Sequence, residues 1–111
     1  MSNYDLFLVK TNEVGDVEWT RNYGGSGTER GNSIIITNDD NYVICGYTTS
    51  FGYGNYDVFL IKTNASGDTI WTKTYGGTEK DCGMSVKQTN DNGFIISGYT
   101  NSFGAGDMDF Y

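Results

Sequence analysis

The pattern of apolar and polar residues predicts eight short β-strands separated by turns. Runs rich in Val, Ile, Phe and Tyr end at clusters of Gly, Asn and Asp, as strands do at turns. The predicted strands are YDLFLVKT (4–11), VEWTRNY (17–23), NSIIIT (32–37), YVICGYT (42–48), YDVFLIKT (56–63), TIWTKTY (69–75), MSVKQT (84–89) and FIISGYT (94–100). Several strands are continuously apolar, which favours a sheet covered on both faces, whereas the strand with Trp19 alternates and has a wetter side.

The whole pattern occurs twice. Residues 4–55 align on residues 56–107 without a gap, and 27 of the 52 positions are identical. Each residue therefore has a counterpart 52 positions away, and residues 108–111 begin a third copy. A fixed period of this length is typical of propellers and solenoids. We interpret residues 1–111 as one domain of two tandem units.

Composition supports an all-β fold. The chain is 37% hydrophobic and 15% aromatic, which is enough for a packed core, and its 16 glycines suit many turns. A four-stranded antiparallel sheet covered on both faces is what a β-propeller blade requires, and residues 29–77 would form one complete blade. The alternative is an eight-stranded β-sandwich built from the same strands.

The motif YDxFLxKTNxxGDxxWTxxYGG, followed by SxxxTND and GYTxSFGxG, resembles the β-propeller repeats of bacterial and archaeal surface or secreted proteins. Those repeats combine Asp-x-Phe-x-x-Lys, a Gly-Gly pair and Gly-x-Thr-x-Ser. The resemblance covers nearly the whole chain and implies a propeller fold and an extracellular or cell-surface parent protein. This chain has no proline, whereas many members of the family have one after the Ser-x-Phe segment.

The position of the strands within the repeat predicts self-assembly. Residues 4–25 would supply an outer hairpin, residues 29–77 a whole blade and residues 81–100 an inner hairpin. Propellers close with about four to eight blades, so two repeats cannot close a ring alone. We expect identical chains to complete one another, as a homotrimer with six blades or a homotetramer with eight. The chain is also expected to be a fragment of a larger propeller.

Charge argues against several partners. The formal net charge is −7 and the seven Lys and Arg residues are scattered, so nucleic acid is not expected as a partner. No run approaches the roughly 20 apolar residues of a membrane helix, so membrane insertion is not expected. The first residues also lack the charged-then-apolar pattern of a signal peptide, and none is expected in this chain.

The sequence offers little for catalysis. It contains no histidine and no phosphate-binding glycine loop, so we expect neither an enzyme nor a cofactor. Cys45 and Cys82 occupy different positions in the two units, which does not support a zinc site, and no metal is expected. We expect Cys45 to be a small buried residue and Cys82 to lie in an accessible loop. The TNDDN and TNDNG segments are better explained by turns than by calcium loops.

Differences between the two units mark where a ligand would bind. Tyr53 has Ala105 as its counterpart, and an aromatic ring with a polar tip suits glycans or protein surfaces. The candidate ligand-binding residues, all of which we expect in surface loops, are Tyr53, Asn55, Glu29, Arg30, Lys80, Asp81 and Asp107. We expect a non-catalytic scaffold that binds protein or glycan. The alternatives are a lectin-like propeller, a module with no ligand, and an enzyme with a site in the central channel near Asn32, Lys87 and Gln88.

Overall fold

The computed structural model describes residues 4–50, 56–76 and 80–100, and these residues form an all-β structure without helices. The strands are β1 (Leu6–Thr11), β2 (Val17–Tyr23), β3 (Glu29–Ile36), β4 (Tyr42–Thr48), β5 (Asp57–Thr63), β6 (Thr69–Tyr75), β7 (Asp81–Gln88) and β8 (Phe94–Thr100). The all-β prediction and the eight predicted strands are confirmed.

Two strands begin earlier than predicted. β3 and β7 start at Glu29 and Asp81, three residues before the apolar runs that marked them. The first residues of β3 pair with the end of β4, and the ladder shifts register between Gly31 and Ser33. A bulge of this kind accommodates an extra residue, so a polar, glycine-containing segment that resembled a turn is part of the strand.

The strands pair in three antiparallel sheets across the described residues. β3, β4, β5 and β6 form a four-stranded sheet in that order, which we call the middle sheet. β1 and β2 form the N-terminal hairpin, and β7 and β8 form the C-terminal hairpin. This arrangement differs from the two facing sheets of the sandwich alternative. The predicted division of the chain into a complete sheet and two flanking hairpins is observed.

Asparagine side chains shape the turn within each of two hairpins. The Asn12 side-chain oxygen accepts hydrogen bonds from the backbone N–H groups of Val14 and Asp16, both at 3.0 Å. Asn64 accepts the corresponding bonds between β5 and β6. Gly15 and Gly67 complete these turns at φ values of 90° and 86°, which glycine adopts without steric strain. The turns predicted from local sequence chemistry are therefore present.

Glycine also allows β3 and β4 to approach closely. A Cβ atom on Gly46 would overlap with the Arg30 carbonyl group, and one on Gly98 would overlap with the Cys82 carbonyl group. Each glycine lies opposite the bulge in the neighbouring strand. The two glycines are counterparts, and the same steric requirement explains why neither position carries a side chain.

The N-terminal hairpin covers one face of the middle sheet. The buried residues at this contact, which we call the first cluster, are Leu6, Tyr23, Ile44, Phe59 and Ile61, with Leu8 and Tyr42 packed beside them. Tyr23 also donates a hydrogen bond from its hydroxyl to the Gly67 carbonyl. The hairpin is thus held by apolar burial and by a satisfied polar tip.

The C-terminal hairpin covers the opposite face. The buried residues of this second cluster are Val43, Cys45, Leu60 and Val86, with Ile35, Trp71, Phe94 and Ile96 packed beside them. Adjacent residues of β4 and β5 therefore enter different clusters, as the two faces of a strand require. The continuously apolar sequence of β4 and β5 is explained, because both faces of these strands are covered.

Candidate functional site

Two of the candidate ligand residues are buried carboxylates at strand ends. Glu29 is the first residue of β3, where Thr48 donates a hydrogen bond to Oε2 at 2.7 Å and the Gly25 N–H donates to Oε1 at 3.0 Å. Its counterpart Asp81 begins β7 and accepts a hydrogen bond from Thr100. Both side chains are almost fully buried. The expectation that they lie in exposed loops was wrong, because each closes the end of a strand pair.

The basic candidates remain on the surface. Arg30 and Lys80 are exposed, and the Lys80 ammonium lies 5.0 Å from the centre of the Tyr56 ring. Tyr56 stacks on Tyr47 with ring centres 4.5 Å apart. The structure therefore places Lys80 over one ring of a stacked tyrosine pair. The other candidates, Tyr53, Asn55 and Asp107, lie outside the described residues.

The residues expected near a central channel connect β3 to β7. Asn32 donates a hydrogen bond to the Gly83 carbonyl at 2.8 Å, and the Gln88 side chain accepts one from the Asn38 N–H at 2.8 Å. Lys87 is exposed. Two of the three residues therefore make contacts that align the middle sheet with the C-terminal hairpin, which is a structural role. The sequence alone did not show this role.

Both cysteines are buried in strands. Cys45 is central in β4, and burial raises the pKa of its thiol to about 11. Cys82 lies in β7, and burial raises the pKa of this thiol also. Thiols are nucleophilic only as thiolates, so these two are poorly reactive. The expected burial of Cys45 is confirmed. The expectation that Cys82 is accessible was wrong, because β7 begins before it.

The most unusual surface consists of two open strand edges. In the middle sheet, β4 and β5 are central strands that pair with each other over seven residue pairs. Their counterparts are β8 and β1. Among the described residues β8 pairs with β7 alone and β1 pairs with β2 alone. Among the described residues, one side of each of these strands therefore pairs with no other strand, and such an edge is a template for pairing.

Apolar side chains beside these edges are exposed while their counterparts are buried. Phe7 of β1 is 62% exposed, and its counterpart Phe59 is 3% exposed. Ile95 of β8 is 62% exposed, and its counterpart Val43 is fully buried. The residue types are similar at each pair, so the difference comes from the strands and faces that surround them. Large exposed apolar groups beside an open edge indicate an interaction surface.

An apolar groove adjoins the open edge of β8. It has a volume of about 390 Å³ and is lined by Val58, Tyr75, Phe94 and Ile96. The counterparts of these residues are Leu6, Tyr23, Tyr42 and Ile44, which belong to the first cluster or pack beside it. In the first cluster the corresponding space is filled by Phe59 and Ile61. The groove is therefore a copy of the first cluster in which those two side chains have no equivalent among the described residues.

A second apolar groove lies between the N-terminal hairpin and the middle sheet. Its volume is about 300 Å³, and it is lined by Leu8, Val9, Lys10, Trp19, Ile34, Ile35, Ile36 and Tyr42. Ile34 is about half exposed here, although its counterpart Val86 is buried in the second cluster. The groove lies on the side of β1 where the sheet ends. In the second cluster, Val43 packs with Leu60 and Val86, which are the counterparts of Leu8 and Ile34.

The sequence matches no protein-family model, and a search of curated proteins finds no match. Among the described residues, no three acidic or cysteine side chains cluster so as to hold a metal ion. No helix in the described part of the chain is long and apolar enough to cross a membrane. The open edges and the grooves are therefore the features of the molecule that indicate a function.

Proposed function

We propose that this chain is a self-assembling β-propeller scaffold in which neighbouring copies share a blade. The middle sheet is one complete blade, the N-terminal hairpin is the outer half of the preceding blade, and the C-terminal hairpin is the inner half of the following one. The two halves have complementary sets of strands. Three copies would close a ring of six blades and four copies a ring of eight.

The observation that carries this proposal is the contrast between paired and open counterparts. β4 pairs with β5 inside the chain, while β8 and β1 are open in the described residues. A second copy offers each open strand the partner that its counterpart already has. The apolar side chains beside both edges would become buried by the same step, which provides the driving force.

Recurring contacts between successive sheets support a regular rotation. The Glu29 N–H donates to the Tyr4 carbonyl at 2.7 Å, and the Asp81 N–H donates to the Tyr56 carbonyl at 2.9 Å. Trp19 and Tyr42 have ring centres 6.2 Å apart, and their counterparts Trp71 and Phe94 have ring centres 6.1 Å apart. The same contacts at two successive junctions imply a similar rotation at each. A constant rotation is what closes a ring.

The scaffold would act by binding rather than by catalysis. The sequence contains no histidine, and the carboxylates of Glu29 and Asp81 accept hydrogen bonds from Thr48 and Thr100 at strand ends. Loops repeated around a ring would gain avidity for a protein or glycan at a cell surface. Tyr53 is still the candidate contact in such a loop. Loss of glycan-array binding in Tyr53→Ala would support this role, and hydrolysis of an arrayed sugar would contradict it.

Light scattering over a dilution series tests the assembly. We expect a stable mass of three or four times the 12.3 kDa chain. Val9→Glu should dissociate the ring, because it places a charge on an exposed apolar side chain at the open edge of β1. Ile70→Glu is the matched control, since Ile70 is also an exposed apolar residue of a β-strand and its counterpart is Glu18. A folded wild-type monomer would overturn the proposal.

A further inference from the structure

We infer that β8 of one copy pairs with β1 of the next in the register of β4 and β5. This inference rests on the proposed function and specifies its contact. The observed pairs include Val43 with Lys62 and Cys45 with Leu60. Adding 52 to the β4 residue and subtracting 52 from the β5 residue converts these pairs into Ile95 with Lys10 and Ser97 with Leu8. Lys10 and Leu8 belong to the next copy.

The complete set of inferred pairs follows from the same shift. In each pair the first residue belongs to β8 of one copy and the second to the next copy. The pairs are Phe94–Thr11, Ile95–Lys10, Ile96–Val9, Ser97–Leu8, Gly98–Phe7, Tyr99–Leu6 and Thr100–Asp5. A slip of one residue would turn every apolar side chain to the opposite face, so burial selects strongly against it.

This register fills the groove beside β8. Phe7 and Val9 of the next copy would lie on the same face as Ile96, because directly opposed residues share a face. That face of β8 lines the groove with Val58 and Tyr75. Phe7 and Val9 are the counterparts of Phe59 and Ile61, which fill the corresponding space in the first cluster. The exposed side chains of one copy therefore match the groove of another.

The same register fills the groove beside β1. Ile95 points away from its own middle sheet and is the counterpart of Val43, which packs in the second cluster with Val86. In the next copy the counterpart of Val86 is Ile34, which lines the second groove. Ile95 would therefore enter that groove opposite Ile34. The two grooves are filled together by one pairing event.

Charge complementarity supports the same partner. In the middle sheet Lys62 of β5 forms an ion pair with Asp39, which lies in the turn between β3 and β4, at 3.0 Å. The counterparts are Lys10 and Asp91. In one chain Lys10 instead contacts Glu18 at 2.8 Å, and Asp91 accepts hydrogen bonds from Thr89 and Gly93. The inferred register brings Lys10 of the next copy to Asp91.

Disulfide trapping tests the register. The double variant Lys10→Cys, Ile95→Cys places two thiols directly opposite each other across the contact, where Cβ atoms lie about 4.5–5.5 Å apart. The matched control Lys10→Cys, Ser97→Cys moves one thiol two residues along β8, about 7 Å away. The background is Cys45→Ser, Cys82→Ala, in which Cys45 takes the residue of its counterpart Ser97. Residues 10, 95 and 97 are not buried, so folding should be retained, as circular dichroism would verify.

The first variant should form covalent oligomers up to the ring size on mild oxidation, and the control should form at least about tenfold fewer. If light scattering shows an oligomer but the control pair crosslinks better, or neither pair crosslinks, the register is overturned and self-assembly stands. A monomer by light scattering that forms no crosslink would overturn both. The mass measurement and the crosslinking ratio therefore separate the two failures.

A charge exchange provides a second measurement on the full chain. Lys10→Glu or Asp91→Lys alone should weaken association about two- to fivefold, since an exposed ion pair is replaced by like charges. The combination should restore association, because the charges are again opposite. Failure of the double variant to recover, in an assembly that still forms, would contradict the inferred pairing. The exchange Lys62→Glu, Asp39→Lys inside the middle sheet serves as the matched control and should leave association unchanged.

Discussion

The middle sheet and the two hairpins have similar sequences, but their counterpart residues differ in burial. In the middle sheet β4 and β5 are central, and both of their faces are covered by clusters of buried side chains. In each hairpin the strand that corresponds to β4 or β5 lies at an open edge among the described residues, and its outer face is exposed. Phe59 and Phe7 are the same residue type at counterpart positions, yet one is buried and the other is not.

Burial of an apolar side chain in this molecule therefore depends on which strands surround it. A phenylalanine followed by leucine in an apolar strand predicts a core position equally well in both units. Phe59 is covered by the N-terminal hairpin and by β4, and among the described residues no strands take these places beside Phe7. The proposed assembly would bury these exposed residues of the hairpins, and it would explain why a chain with net charge −7 keeps so many apolar groups at its surface.

Alanine substitution of Phe59 and Phe7 should show the largest difference between the two regions. Phe59→Ala should lower the free energy of unfolding by about 3–5 kcal/mol, because it removes a buried aromatic from the first cluster. Phe7→Ala should change it by less than about 0.5 kcal/mol in a monomeric chain, where the side chain is exposed. Denaturant unfolding in a Val9→Glu background would measure both without association.

Assembly should respond in the opposite way to Phe7. In the otherwise wild-type chain, Phe7→Ala should weaken association on the order of 100-fold, because it leaves the groove beside β8 unfilled. Phe59→Leu provides a milder core variant if Phe59→Ala fails to fold. Equal effects of Phe7→Ala and Phe59→Ala on monomer stability would refute the distinction between the two regions.

The buried carboxylates give a smaller test of the same comparison. Thr48 donates to Glu29 and accepts a hydrogen bond from the Ser50 N–H at 3.0 Å. Thr48→Val should lower the free energy of unfolding by about 1–3 kcal/mol, because a buried carboxylate loses a donor. Thr100→Val, at the position that corresponds to Thr48, should lower the free energy of unfolding by less. The C-terminal hairpin can open locally and rehydrate Asp81 without unfolding the middle sheet.

Denaturant unfolding and native-state hydrogen exchange would measure these two variants together. Thr100→Val should speed exchange within β7 and β8 and leave the amides of β4 and β5 protected. Serine at either position is the matched control, because it keeps the hydroxyl donor. If Thr100→Val destabilised the whole chain as much as Thr48→Val, the hairpin and the middle sheet would be one cooperative unit.

The fold was predictable to the extent that local rules determine it. Apolar runs and turn residues located all eight strands, and the Asn12 and Asn64 turns follow from side-chain chemistry. The starts of β3 and β7 were missed, because a bulge places polar residues in a ladder and no local signal distinguishes that from a turn. The burial of Cys82 was missed for the same reason.

The site was less predictable, because it depends on contacts between sheets. Glu29 was selected as a surface residue, and only the long-range hydrogen bond from Thr48 identifies it as a strand-end carboxylate. The groove beside β8 joins Val58 and Tyr75 to Phe94 and Ile96, which lie far apart along the chain. A signal was nevertheless present in the sequence, since the 52-residue repeat makes Phe7 the counterpart of Phe59 and Ile95 the counterpart of Val43.

The smallest expected effect concerns two counterpart aspartates. A hydrogen bond from Thr37 and the Lys62 ammonium hold the pKa of Asp39 below its ordinary value. A hydrogen bond from Thr89 and the Gly93 N–H do the same for the pKa of Asp91, without a lysine. A carboxyl whose pKa is depressed by folding contributes stability above its unfolded pKa, and that contribution is lost as the pH falls through the folded value. Both groups are exposed, so the contribution is small.

Assembly should make the two aspartates alike. If Lys10 of the next copy reaches Asp91, the pKa of Asp91 should fall further in the ring than in the Val9→Glu monomer, and Lys10→Met should abolish the extra shift. The pKa of Asp39 should be the same in all three proteins, because its lysine belongs to its own sheet. Carboxyl carbon chemical shifts measured by NMR against pH would report each group separately. An Asp91 titration that does not differ between the ring and the monomer would mean that β8 pairs with β1 in a different register or not at all.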